Sequence, residues 1–310
     1  MKKMAKVTAL LAAMVLTMAA FAQDFPSYLK MEGTKITGCD KDDIPDNLVI
    51  SEGVTEIGEG AFSQCMYLES VVIPGSVKLI GKSAFSGCTS LKSVTLAGGV
   101  ETIGDSMFKD CTSLESITIP VSVKTIGNNT FRGCKSLTSV TIPENVKKIG
   151  NYAFRDCTSL KSVTLSEGVE TIGERMFIGC TSLASITIPA SVTEIGGYAF
   201  SGTGLKTVTI PKGVKAFGGY AFSGCESLES VTIPRGVTEI GGSAFGDCTS
   251  LKSVSIPRSV TEIGWYAFSE CDNLTVQYDG TKAQWEALKK AWSGSYAVRC
   301  SDGEFNKQEW

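Results

Sequence analysis

The sequence contains no histidine. That absence removes a Ser-His-Asp triad, a Cys-His pair, His-ligated zinc and a His acid/base. Any chemistry is left to Asp, Glu, Lys, Tyr and Cys. Proline is scarce, at 9 residues in 310, and there is no second long apolar run after the N-terminal one. Neither sign of charge dominates, with 29 basic against 32 acidic residues. A mildly acidic chain is a poor non-specific nucleic-acid binder, so no nucleic-acid partner is expected. What the chain has in quantity is apolar residues (43%) and 33 glycines, a globular rather than disordered composition.

Lys2, Lys3 and Lys6 precede an uncharged apolar core, Val7 to Met18, and Ala20-Phe21-Ala22 supplies a small-x-small cleavage site. This reads as a signal peptide over residues 1–22, with Gln23 beginning the mature chain. A membrane anchor is the alternative, but the core is short for ~30 Å of hydrocarbon. Neither a lipid-acceptor Cys after the core nor a hydrophobic C-terminal tail is present. Losing the three lysines shifts the net charge from −3 to −6. The expected location is secreted or cell-surface, with the periplasm also open, and no membrane insertion follows signal removal.

The remainder is one unit repeated. Phe recurs at 62, 85, 108, 131, 154, 177, 200, 222, 245 and 268, always 23 residues apart except for 22 between Phe200 and Phe222. Gly stands four residues before each Phe, and Cys three residues after nine of them. A fixed period of this size marks a solenoid, in which each unit buries its apolar side only against its neighbours. Within a unit, Leu91-x-x-Val94-x-Leu96 predicts a strand that a following proline often stops, as at Pro74, Pro120 and Pro143. Val100-x-x-Ile103-Gly104 predicts a second extended piece, and Asp105 to Asp110 a helical or 3₁₀ turn with Phe108 inward.

Leu-x-x-Val-x-Ile-Pro-x-x-Val-x-x-Ile-Gly-x-x-Ala-Phe-x-x-Cys resembles the 23-residue repeat of the BspA-like bacterial leucine-rich-repeat surface proteins. The tail from Tyr278 to Gly303 is similar to the end of many such chains. The resemblance implies a β-rich α/β solenoid. That is a right-handed leucine-rich-repeat coil with a parallel β-sheet, about ten repeats and a short C-terminal capping helix. It also implies an exported, non-enzymatic protein used for adhesion or protein binding. Where other leucine-rich repeats carry an Asn ladder, this chain has mainly Ser and Gly, such as Ser76, Gly99 and Ser122.

The expected organisation is a signal peptide at 1–22, an N-terminal cap at 23–47, the solenoid at 48–278 and a C-terminal cap at 279–310. Residues 23–47 read as a polar cover over a first strand at Leu48-x-Ile50. Thr281-x-x-Gln284 has capping-box spacing, and Trp285, Leu288 and Trp292 share one helical face. This reads as a helix over the last coil, with a membrane-surface helix as the alternative.

Eleven cysteines in an exported chain suggest disulfides. Nine of them, however, occupy equivalent places, where parallel Cβ vectors disfavour bridging. Buried, reduced thiols are expected, with bridging left open, and Cys39 and Cys300 are read as lying outside the ladder. With neither Cys-x-x-Cys nor His, no metal and no cofactor are expected.

The column two residues before each Phe is uneven, and its C-terminal half carries Tyr152, Arg175, Tyr198, Tyr220 and Tyr266, with Trp265 beside the last. Tyr and Trp bury large area and keep a polar handle. Tyr152, Tyr198, Tyr220, Trp265 and Tyr266 are therefore the candidate binding residues, against the plainer reading that the rings only cover a loop edge. The Ser/Thr columns of the strand face (Ser93 and Thr95 in one unit) and the basic stripe Lys109, Arg132, Arg155 read more simply as solvated surface. No catalytic residues are identified, because nothing interrupts the repeat to build a pocket. The expected partner is a protein on a host or neighbouring cell, with a glycan as second choice. A spacer without a ligand is the competing reading.

Overall fold

The computed structural model describes residues 25–290 and 295–309. The signal-peptide reading and Trp292 lie outside the described residues.

The chain winds into a parallel β-solenoid of about 11 turns with little helix. Each coil has three sides. The first carries the longer strands, Ser93–Leu96 in one unit, with Val94 and Leu96 buried and Ser93 and Thr95 exposed. Like residues face like residues from coil to coil: Ser93 pairs with Ser116, Val94 with Ile117 and Thr95 with Thr118. A period-2 pattern in strict register puts every apolar partner on the core side. The second side carries two-residue strands such as Thr102–Ile103 and Thr125–Ile126, also parallel. The third side is a turn around the repeat Phe.

That turn is not helical. Residues on both sides of the Phe take left-handed backbone, Ser106 at φ 55° and Asp110 at φ 58° around Phe108. Two such residues four apart break a helical turn, so Asp105 to Asp110 forms linked tight turns instead, with Met107 N donating to Gly104 O at 3.3 Å and Lys109 N to Ser106 O at 3.1 Å. Its backbone N–H groups donate to the next coil: Ser106 to Asn128 O, Phe108 to Thr130 O and Asp110 to Arg132 O, at 2.7–2.9 Å. All three sides therefore carry hydrogen bonds between coils, which satisfies the turn backbone.

The ten repeat phenylalanines are almost wholly buried. They stack nearly parallel through the core, Phe154 and Phe177 for example at 5.5 Å and 8°. Glycine before the turn is required by close approach: a Cβ on Gly150 would lie 2.5 Å from the backbone N of Asn128.

The thiol ladder is buried and reduced. From Cys88 onward each ladder Sγ donates to the carbonyl of the preceding coil's Phe, Cys111 to Phe85 at 3.2 Å and Cys134 to Phe108 at 3.2 Å. Burial raises Cys88 to about 12 and Cys225 to about 11. In the short seventh unit the buried Thr203 replaces the thiol and donates to Phe200 O at 2.8 Å. Cys39 is a correction: it joins the ladder, its Sγ 3.3 Å from that of Cys65.

Both ends hold hairpins. At the N-terminus, Leu29–Glu32 and Lys35–Cys39 pair antiparallel, and Lys35–Cys39 extends the second side by pairing parallel with Glu56–Ile57. At the C-terminus, the helix Lys282–Ala287 carries the Thr281/Gln284 capping box and buries Trp285. It is shorter than the expected apolar face, because Leu288 already has extended backbone (ψ 136°). Ser295–Cys300 then continues the long-strand side, pairing parallel with Thr275–Tyr278, and Gly303–Glu309 folds back antiparallel.

Candidate functional site

The aromatic column lies on the turn side. Each of its positions is a left-handed residue, from Gly60 at φ 62° through Asn129 at 54° to Tyr152 at 60°, Arg175 at 53°, Tyr198 at 57°, Tyr220 at 60° and Tyr266 at 59°. Gly and Asn take this backbone readily, whereas a bulky side chain there costs on the order of 1 kcal/mol. The fold itself therefore asks for Gly or Asn in this column. Four tyrosines and an arginine occupy it against that preference.

The structure brings Tyr152, Tyr198 and Tyr220 together, and joins them through a residue between. Arg175 Nη1 donates to the Tyr152 hydroxyl at 2.7 Å. Its guanidinium carbon lies 5.5 Å from the Tyr152 ring centroid and 4.6 Å from that of Tyr198. Glu174 pairs with the same guanidinium. Tyr198 and Tyr220 stack at 4.5 Å with an interplanar angle of 2°. The result is a ledge of ring, guanidinium, ring, ring across four successive coils. Ser243, buried, separates it from Tyr266, which lies 6.4 Å from Trp265 at a tilted angle. Trp265 and Tyr266 thus form a second, more exposed pair, 68% and 53% accessible.

Arg175, noted only as a member of the column, holds the ledge together. Asn151 was not singled out from the sequence. Its Oδ1 accepts from Glu174 N at 3.0 Å, the last rung of a short ladder. Asp105 Oδ1 accepts from Asn128 N at 2.7 Å and Asn128 Oδ1 from Asn151 N at 2.8 Å. Asx residues just after the repeat glycine were the available signal. This ladder fixes the coil edge from which the ledge projects. Beside the ledge is a hollow of about 480 Å³, lined by Asn151, Thr171, Glu174, Glu194, Tyr198 and Tyr220. It therefore presents carboxylates next to phenol rings.

A larger open recess, about 980 Å³, lies on the long-strand side of the last coils. Thr209, Thr232 and Ser255 form its floor, and Pro211, Pro234 and Pro257 one wall. Arg235 and Asp279 pair across its end at 3.3 Å. Sequence reasoning missed it, because the lining needs Tyr278 and Asp279 at the end of Thr275–Tyr278 as well as the proline column.

The basic stripe is largely neutralised where it stands. Of its three residues, Lys109 pairs with Asp110 at 3.8 Å and Arg155 with Asp156 at 3.0 Å. At the strand entry, Lys92 meets Glu69 at 2.9 Å and Lys252 meets Glu229 at 3.4 Å, favourable pairs of opposite charge across neighbouring coils. Among the described residues, no group of three or more His, Cys, Asp or Glu side chains is placed to hold a metal ion. Among them, too, no helix is long and apolar enough to cross a membrane.

The sequence model of the BspA type leucine rich repeat region, six copies long, matches twice, over residues 43–161 and 147–275. The chain belongs to the BspA-type leucine-rich-repeat family. No curated protein matches the sequence. Among solved structures, the BspA-type chain is similar to a leucine-rich repeat protein from Bacteroides ovatus. The identity is 28% and the TM-score 0.63, covering 89% of this chain and 86% of that one. It is also similar to the T. pallidum leucine rich repeat protein at 31% identity and TM-score 0.54, covering 66% of this chain and 91% of that one. The pneumococcal vaccine antigen PcpA shares the fold, at 22% identity and TM-score 0.51, covering 87% and 83% of the two chains.

Proposed function

We propose that this BspA-type chain is an exported, non-enzymatic interaction module that binds a protein partner through the Tyr152–Arg175–Tyr198–Tyr220 ledge, with Trp265 and Tyr266 as a second contact point. One observation carries the reading: bulky rings occupy left-handed backbone that Gly60 and Asn129 fill without strain in other coils. Strain kept at an exposed place points to use rather than to folding. The Trp265 and Tyr266 rings bury little within the chain, so their burial energy is available to a partner.

A protein partner fits better than a sugar. Sugar recognition by an aromatic side chain uses a free ring face. Tyr198 has Arg175 over one side and Tyr220 stacked on the other. What the ledge offers is ring edges, hydroxyls and the neighbouring Glu174 and Glu194 carboxylates, a mixed surface suited to a polypeptide. The export signal read at residues 1–22 and the resemblance of the repeat to that of bacterial surface proteins support display outside the cell.

The test replaces Tyr198, Tyr220 and Tyr266 together by Ser in residues 23–310. Wild-type and variant chains are compared for capture of candidate host extracellular proteins. The expected result is loss of capture by at least tenfold with an unchanged circular dichroism spectrum. Equal capture by the two chains contradicts the site and favours the spacer reading.

A further inference from the structure

Cys39 takes its place in the solenoid by the same offset that orders the whole thiol ladder. In the full-length units each ladder thiol meets the residue 26 positions before it, Cys88 donating to Phe62 O at 3.1 Å and Cys157 to Phe131 O at 3.1 Å. For Cys65 the residue 26 positions earlier is not a phenylalanine but Cys39, and the two sulfurs are 3.3 Å apart. A coil that caps the stack has no repeat Phe to offer, so a second thiol stands where a carbonyl would be.

We propose that Cys39 and Cys65 form a redox-active pair that closes to a disulfide in the exported protein, locking the N-terminal hairpin onto the first full coil. The proposal stands apart from the aromatic ledge and does not depend on it.

The geometry allows closure. The sulfurs are already in contact, and a bond of ~2.05 Å needs an approach of roughly 1.3 Å. Cys39 can supply that movement. It is the last residue of Lys35–Cys39, and its strand partner is Leu29 of the same hairpin. The parallel pairing that ties this strand to the coils involves only Lys35 and Ile36. The end of the strand can shift without moving a repeat. Interior thiols such as Cys111 and Cys134 are instead held to carbonyls inside coils bonded on both sides.

The electrostatics divide the roles. Either thiol can donate to the other; the contact with Cys65 pushes Cys39 down, against its own burial, and the charges of Lys41 and Lys30 favour ionisation there. The same contact and burial push Cys65 up. Cys39 is also more open, at 8% accessible against 1% for Cys65. The attacking thiolate is therefore Cys39, and Cys65 is the resolving thiol.

The oxidant is a disulfide, either a low-molecular-weight one or the oxidised Cys–Cys site of an oxidoreductase. The Cys39 thiolate attacks one of its sulfurs, forming a mixed disulfide and releasing the first thiolate. Cys65 gives up its proton and attacks the Cys39 sulfur, releasing the second. The pair loses two electrons and two protons, and the oxidant disulfide becomes two thiols. The product closes a ring around the first coil, where the stack has the fewest neighbours and opens most easily.

The experiment uses wild-type residues 23–310 with oxidised glutathione as the probe. Native reduced protein is incubated with it, quenched in acid, denatured, alkylated without reductant and mapped by mass spectrometry. Two of the eleven thiols are expected to disappear, with the peptides carrying Cys39 and Cys65 joined, and the thermal midpoint is expected to rise. The Cys39→Ser variant, folded by circular dichroism, is expected to lose no thiol pair under the same treatment. Retention of all eleven thiols, a linkage between other cysteines, or glutathione remaining on Cys39 without resolution overturns the proposal.

Discussion

At the scale of single residues, two backbone rules decide what stands where. Gly150 and its equivalents are glycine because the preceding coil's backbone passes within contact of where a Cβ would be. The column two residues before each Phe is different: space is open there, and the constraint is a positive φ. A side chain in that column is tolerated but strained, so removing an exposed one tests whether it serves the fold. Tyr266 at φ 59° and 53% accessible is the cleanest case. Tyr266→Asn is expected to keep stability or raise it by about 0.5–1 kcal/mol, since Asn tolerates left-handed backbone and little burial is lost. Urea unfolding checks this. Destabilisation beyond about 1 kcal/mol would assign the ring a structural role.

At the scale of elements, the strands were legible and the turns were not. Leu-x-x-Val-x-Ile announces its own strand because alternation and burial coincide, and the 23-residue spacing sets the register without further information. The turn reads as helical or 3₁₀ because Asp105 to Asp110 contains no Pro or Gly. The opposing signal was spread across coils, in the Gly, Ser and Asn that share the Ser106 column. The hairpins at the two ends escaped notice for a related reason: each occurs once, so no repetition amplifies its pattern. Cys39 was read as outside the ladder because it was compared with Cys at the repeat spacing. The offset that matters is the one from a thiol to its acceptor. Of the candidate residues, the tyrosines were legible as an uneven column, but Arg175 as the piece between two rings needs the stacked coils to be seen.

The thiol ladder also has a pH signature. Burial raises Cys88 and Cys271 to about 12 and Cys225 to about 11, against 9.0 for an ordinary thiol. Below pH 9 these thiols are neutral in both folded and unfolded chains and contribute no pH dependence. Above it the unfolded chain releases protons that the folded chain keeps, so stability falls as pH rises toward the folded values. Each such thiol contributes a slope of up to about 1.4 kcal/mol per pH unit. The thermal midpoint is therefore expected to fall steeply between pH 9 and 11, and less steeply when Cys88 and Cys225 are replaced by Ala. A midpoint flat to pH 11 would contradict buried neutral thiols.

At the scale of the whole molecule, no coil is a folding unit. The hydrogen bonds of the turns run to the next coil, the Phe rings stack on their neighbours, and the ladder thiols from Cys88 onward donate to the coil before them. An aromatic ledge spread over four coils is rigid only because those coils are held in register by everything around them. Stability in such an array is a sum of unit and interface terms, with the interfaces dominant. The distribution of tryptophan provides the most direct test. All four tryptophans lie at or beyond Trp265, so their fluorescence reports the C-terminal end, while far-ultraviolet circular dichroism reports the whole chain. Phe154, wholly buried, lies in the middle of the stack. Phe154→Ala removes a core ring at a cost of about 3–5 kcal/mol. One measurement decides: thermal unfolding of Phe154→Ala followed by both signals. The stacked-coil account predicts that the tryptophan midpoint falls together with the circular dichroism midpoint and by the same amount. A tryptophan transition left at its wild-type temperature, while the rest of the chain melts earlier, would contradict it.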